Sequence, residues 1–194
     1  DARQAMKSAG EPGLRKLLRS LDQQLRAIRA TDHFPGPAGA RAAEGLERLR
    51  AAVEKKLSPG EPTRRTVAAI ERLPMSSFQG RTWATRKRPW VDRLATAWLI
   101  RRFVDARPRF VWLDDPGQCP KSALGFDFDG ARFTHVGDKV SFEVVAHSFG
   151  LEDDAALERL GELVRCIDIG GIAVDEAAGV ETLVRGLQAQ HADD

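Results

Sequence analysis

The absences in this chain narrow its class first. It has no run of about 18 apolar residues, the length needed to cross a membrane as a helix, and no membrane association is expected. Its first residues lack the apolar stretch of a secretory signal, and it does not open on Met, which reads as a fragment of a longer protein. Cys119 and Cys166 stand far apart and form no CxxC pair, which argues against a zinc ribbon, a redox dithiol or a disulfide framework. Reduced thiols in a cytoplasmic protein are the expectation. There is no P-loop, no GxGxxG with an acidic ribose partner, no GxSxG elbow and no HExxH, so nucleotide, serine-hydrolase and zincin chemistry have no local anchor.

What remains is a globular composition, 42% hydrophobic and 30% charged over 194 residues, enough for one sizeable core or one domain with an appendage. The formal charge of +2 hides an asymmetry. Through Arg109 the chain carries 24 Lys+Arg against 11 Asp+Glu, and the remainder carries 6 against 17, so the front is +13 and the back −11. Such a dipole lets the two parts attract one another, or lets the front face nucleic acid while the back supplies metal-binding oxygens.

Leu14, Leu17, Leu18, Leu21, Leu25 and Ile28 repeat at helical spacing between Pro12 and Thr31. The segment Asp32 to Pro37 breaks that helix, and Ala38 to Leu57 forms its return partner, a helical hairpin whose amphipathic faces either pack together or make a homodimer contact. A linker is placed between about Ser58 and Gly80, with room for a short helix. The domain division is therefore 1–79, hairpin and linker, and 80–194.

The run from Trp83 to Asp105 crowds cations around one helix start. Arg81 to Thr85 reads as a short strand, Arg86, Lys87 and Arg88 follow, and Pro89 suits a first helical turn, whose free N–H groups add positive potential. Val91, Leu94, Ala95, Trp98, Leu99 and Phe103 form the stripe expected to face the core. Arg102 lies inside that stripe and must snorkel to water or find a carboxylate. Asp92, Arg93 and Thr96 share the opposite face, where Asp92 reads either as a cap and surface ion pair or as a ligand.

Beyond this helix the pattern turns to short strands, Arg109 to Leu113, Gly125 to Phe128 and Arg132 to Val136, the last two read as a hairpin across Asp129-Gly130. Three helices follow, Ser141 to Phe149, Asp153 to Asp168 and Asp175 to Gln190, with Ser141 or Asp153 available as N-caps. The fold class is α+β: a small mixed sheet covered by helices, preceded by the helical hairpin.

The runs TRKRPWVDRLATAWLIRRFVD, FDFDGARFTHVGDKVSFE, LVRCIDI and AAGVETLVRGL resemble, in this order and spacing, the C-terminal domain of the chromate-resistance protein ChrB family over nearly all of Gly80 to Leu187. The hairpin around DHFPGPAGARAAEGLERL is similar to the end of that family's N-terminal regulatory region. The resemblance implies a cytoplasmic protein of chromate resistance, in which a DNA-binding front half controls an efflux operon and the C-terminal domain senses the oxyanion or a metal. DNA is then a partner only with the fuller front region. The family pattern falls on Arg86, Asp92 and Arg93, on Asp127, His135 and Glu143, and on Asp168. The chain departs from it at Val140, where the family carries Cys, and at Arg165-Cys166, where it carries a His-Asp pair, so no thiol or second-histidine role is carried over to these positions.

On this reading His135, Glu143 and Asp168 form a His and two carboxylates suited to zinc, iron or manganese with open positions. Arg86, Asp92, Arg93, Arg102 and Asp127 form the ligand-binding wall, with Arg88 also drawing in the anion. Guanidinium forks and a helix N-terminus suit chromate or another oxyanion. Each member also has a structural reading: a hydrogen-bonded His, a Glu at a helix start, an Asp holding Arg86 or Arg102. His147 lies four residues after Glu143 on the same helical face and reads first as exposed, second as a ligand. The function expected is a sensor or regulator domain binding an oxyanion, a divalent metal or both. The alternatives are a metal-dependent oxidoreductase or hydrolase with the same ligands, and a structural module joining charge-separated halves.

Overall fold

The computed structural model describes residues 11–32, 36–57, 69–88, 90–170 and 173–191, and the chain divides into two units, Asp1–Gly60 and Glu61–Asp194. In the first, α1 (Glu11–Thr31) packs on α2 (Pro37–Leu57). Leu14, Leu18, Leu46 and Val53 are buried between them, with Leu21, Leu25 and Leu49 at the margin, as the helical spacing of the leucines requires. Arg50 ties the pair, bonding Asp22 on the other helix at 3.3 Å and Glu47 on its own at 2.8 Å. Residues 33–35 of the expected turn and 58–68 of the expected linker lie outside the described residues.

Among the described residues, the first element of the second unit is a 3-10 turn at Met75–Phe78, inside the expected linker region. It continues through β1 (Thr82–Arg86), α3 (Val91–Leu99), a π-helical turn (Ile100–Val104), β2 (Arg109–Leu113), β3 (Leu124–Gly125), α4 (Ser141–Ser148), α5 (Ala155–Asp168) and α6 (Ala177–Gln190). The three strands form one sheet in the order β2-β1-β3, with β1 in the middle. Ala84 stands opposite Val111 on one side and Gly125 on the other. The α+β class read from the sequence holds. Its sheet is parallel throughout rather than mixed, because α3 returns the chain to the start of the sheet between β1 and β2, the crossover that a parallel pair needs.

The hairpin expected from Phe126 to Phe133 is not formed. Asp127 takes a left-handed backbone with φ 57 and Gly130 follows at φ 85, so the chain folds into a tight loop. Phe126 and Phe133 meet there in a single parallel bridge. The core lies between the sheet and α4 to α6. Trp83, Phe78, Phe133 and Phe149 pack ring against ring on one side of β1, joined by Phe126, Phe142, Val145 and Ile167.

Two local expectations reverse. The N-cap of α4 is Val140, not Ser141, and that of α5 is Asp154, not Asp153, its carboxylate accepting from Ala156 N and Leu157 N. More consequential is α3. Its polar face is the inner one: Asp92, Arg93 and Thr96 are buried beside Val91, Leu99 and Ile100, while Leu94 and Trp98 of the expected core stripe are exposed. Pro89 lies outside the described residues.

Candidate metal centre

The inward polar face of α3 is held by partners far along the chain. Asp92 is 1% exposed and sits over the start of α4, where its Oδ2 accepts from Ser141 N and its Oδ1 from Phe142 N, both at 2.8 Å. A helix start offers free N–H groups, so the carboxylate of one helix caps another some 50 residues away. Thr96, one turn on, donates to Asp92 Oδ1 at 3.2 Å.

Arg93 is equally occupied. Its Nε donates to Asp127 Oδ2 at 2.7 Å, and one terminal nitrogen donates to the carbonyls of Lys87 and Arg88 at 3.2 and 2.6 Å. It thereby joins the loop after β1 to the loop after β3. The other oxygen of Asp127 accepts from Ser141 Oγ at 3.1 Å, so the left-handed turn aims this carboxylate inward, a conformation Asp tolerates better than most residues.

His135 enters from the loop before α4. Its Nε2 stands 3.1 Å from Asp92 Oδ2, 3.6 Å from Asp127 Oδ1 and 3.8 Å from Asp168 Oδ2, the last presented by the C-terminal residue of α5. Burial disfavours the imidazolium, yet hydrogen bonds to Asp127 and Asp92 and the charges of Asp92 and Asp168 overcome it and raise the His135 pKa well above its usual value. Burial likewise works against the Asp92 carboxylate, but its contact with His135 and the Phe142 N–H hold its pKa below the ordinary value.

Asp92, His135 and Asp168 each bring a ligand atom within 4.8 Å of the others, the grouping among the described residues fit for a metal ion. Zinc and similar ions bind nitrogen and oxygen at roughly 2.0–2.2 Å, so two atoms sharing one ion stand about 3.0–3.5 Å apart. The spacings of 3.1 and 3.8 Å lie close to that range.

The sequence-derived site divides accordingly. His135 and Asp168 come together, and Asp92, assigned to the ligand wall, joins them. Glu143 does not: its Oε2 accepts from Val140 N at 3.1 Å and its Oε1 faces Arg165 at 3.6 Å, while burial, only partly countered by Arg165, raises its pKa. Arg102 is exposed with its guanidinium 5.2 Å from the Phe103 ring centroid, the snorkelling outcome, and takes no part in the cluster. Arg86 is half-buried at the end of β1, and Arg88 is exposed. His147 is half-buried; burial and the nearby charges of Lys139 and Arg72 lower its pKa. Ser141, whose hydroxyl and N–H serve two carboxylates, was legible only as a helix cap.

Fold and centre together define a small α+β domain built around an internal histidine and carboxylate cluster. Residues 83–194 match the family model described as ChrB, C-terminal domain. Over 193 residues the chain is 47% identical to Protein ChrB of Cupriavidus metallidurans, a match that takes in 100% of this chain and 59% of that protein. The chain belongs to the ChrB family. It spans 59% of the length of this curated relative, and no solved structure matches it. Among the described residues no helix is long and apolar enough to cross a membrane.

Proposed function

We propose that this is the sensing domain of a chromate-resistance regulator and that its signal is read by a divalent transition metal held by Asp92, His135 and Asp168. The association with chromate resistance rests on membership of the ChrB family. The metal rests on one observation: three donors of the right chemistry from three separate elements converge in the interior, with side chains 1%, 4% and 7% exposed.

Charge supports a cation over an anion here. Three carboxylates, Asp92, Asp127 and Asp168, lie within 3.8 Å of His135 Nε2, a gathering of negative charge that a divalent ion would offset. An oxyanion would add negative charge to a buried acidic site at several kcal/mol, roughly. Arg93, the best candidate for gripping it, already donates to Asp127 and two carbonyls. On this reading the ion would replace the direct contact of His135 with Asp92, while the N–H groups of Ser141 and Phe142 would keep that carboxylate oriented, the outer support that metal ligands need. Chromate would enter as a ligand of the metal or act elsewhere in the protein. The tight burial of the donors favours a sensing or structural ion over a catalytic one, which keeps an accessible position.

The test is elemental analysis of protein purified without added metal, followed by calorimetric titration of the stripped protein with zinc, manganese and ferrous ions. About one ion per chain is expected, lost in His135→Ala. Neither bound metal nor heat with any of the three would overturn the reading. Chromate titrated into the metal-loaded and stripped forms separates an oxyanion site that needs the ion from one that does not.

A further inference from the structure

The last helix presents a surface that the metal centre does not use. On its inner side α6 buries Ala177, Glu181 and Val184, and its one cation is engaged there: Arg185 donates to Glu181 at 3.0 Å and lies 4.8 Å from the Trp90 ring centroid. The exposed residues of α6, from Ala178 to Gln190, are all uncharged, in a chain that is 30% charged. Leu183 and Leu187 stand on this outer face at 69% and 53% exposure. The Thr182 hydroxyl between them and the first turn donates to the Ala178 carbonyl at 2.8 Å.

Along the middle of that face run Gly179 and Gly186, seven residues and about two helical turns apart. Glycine weakens a helix interior more than any residue but proline, so each calls for a reason. Gly161 of α5 has one within the chain, since a Cβ there would meet Glu143 Cγ at 3.0 Å. A Cβ on Gly179 or Gly186 would meet nothing within 4 Å, and neither glycine has a positive φ. Gly39 and Gly45 of α2 are equally open, but there Arg41 and Glu44 are exposed beside them. On α6 the bare backbone is flanked by leucines instead, which lets a second helix approach closely while covering apolar surface.

We propose that this face of α6 pairs with the same face of a second copy of the chain, the two helices running antiparallel. A two-fold axis passing between Thr182 and Leu183 is equidistant from the two glycines, so it sets Gly179 of each copy against Gly186 of the other. Leu183 and Leu187 of both copies then line one flank of the contact and shield each other from water. A charge near a two-fold axis meets its own copy, so an uncharged face is what self-association requires. A partner with the usual charged surface would find no counter-charge here. The helical hairpin of α1 and α2, where the sequence also allowed a homodimer contact, buries its leucines within the pair. The inference does not rest on the metal reading.

Sedimentation equilibrium of the full chain tests it. One helix pair of this length covers less than the roughly 1,200 Å² of a standard interface, so a reversible monomer–dimer equilibrium in the micromolar range is expected. Leu183→Gln with Leu187→Gln should weaken it about tenfold or more. Gly186→Gln should weaken it about as much by holding the backbones apart, while the melting temperature of the dilute protein stays level or rises, Gln being the better helix former. Ile28→Gln removes a comparably exposed apolar residue from α1 and should leave association within about twofold. Orientation is read in the Cys119→Ser background. On oxidation Leu183→Cys, beside the axis, should give a covalent dimer, and Gln190→Cys, whose two copies lie about 22 Å apart along the helices, should not. A chain that stays monomeric at every concentration, association of Gly186→Gln as tight as the parent's, equal weakening by Ile28→Gln, or coupling through residue 190 in place of 183 would each overturn the proposal.

Discussion

His135 Nε2 and Asp92 Oδ2 stand 3.1 Å apart although 43 residues separate them, and the same Asp92 carboxylate holds the first N–H groups of α4. The candidate ligand is therefore also a structural cap. Removing its charge disturbs the junction of α3 and α4 whether or not an ion is bound.

Asp92→Ala is accordingly expected to destabilise the metal-free protein by about 3–5 kcal/mol, since it strands the buried Ser141 N, Phe142 N and Thr96 hydroxyl and removes the nearest of the three carboxylates that face the His135 imidazolium. Asp92→Asn keeps one acceptor oxygen and should cost less. Urea denaturation of the stripped proteins measures both, and equal stability of Asp92→Ala and the parent would show that α4 is capped another way.

Asp168 and Glu143 offer a sharper contrast. Asp168 presents its oxygen 3.8 Å from His135 Nε2, whereas Glu143 serves Val140 N and Arg165. Asp168→Asn should weaken metal binding by about a hundredfold or more, exceeding the roughly 10–100-fold typical when an outer partner of a ligand is removed. Glu143→Gln should leave the stoichiometry intact and change affinity by less than about tenfold. Calorimetry with zinc decides the matter, and the reverse ranking would return Glu143 to the centre.

How much of this was legible in sequence depends on where each partner lies. Arg109 to Leu113 and the leucine spacing of α1 are local patterns, and they point to β2 and the first helix directly. The inward face of α3 was not legible. Periodicity turns Leu94 and Trp98 to the core, but Asp92 and Arg93 find partners at residues 127, 135, 141 and 142, and those bonds set the rotation of the helix. The unformed hairpin has the same cause, because the backbone of Asp127 is turned by the groups its carboxylate serves. Asp105 gives no sign in sequence of being a hub, because most of its partners are backbone N–H groups, which carry no residue signature.

Gly125 shows how little room the sheet leaves beside the site. A Cβ there would lie 2.7 Å from Phe128 Cζ and 3.3 Å from the Ala131 Cβ, both buried. Gly125→Ala is expected to cost about 1–3 kcal/mol through forced displacement of the Phe128 ring. By contrast Gly161→Ala meets Glu143 Cγ at 3.0 Å, a side chain tied to Val140 N and Arg165 that must give by a few tenths of an ångström, and the roughly 1 kcal/mol gained in helix propensity offsets that cost, so the net change is expected to be smaller than at Gly125. Paired thermal melts test the ranking; a Gly125→Ala protein as stable as the parent would mean that the ring moves without penalty.

The acid limb of stability should be governed in part by Asp105. Burial acts to raise its pKa, but the Trp83 indole N–H and the backbone N–H groups of Gly80, Arg107 and Arg81 outweigh it and hold the folded value below the ordinary 3.8. A depressed carboxylate pKa means that the unfolded chain takes up the proton first. Its stabilising contribution is complete above the unfolded value and is lost as pH falls through the folded one. The parent protein should therefore lose stability below about pH 4, and Asp105→Asn, which cannot ionise, should be less stable at neutral pH and show a flatter slope in that window. Urea midpoints across the acid range check this. Parallel curves for the two proteins would remove Asp105 as the group responsible and point instead to the carboxylates of the buried centre.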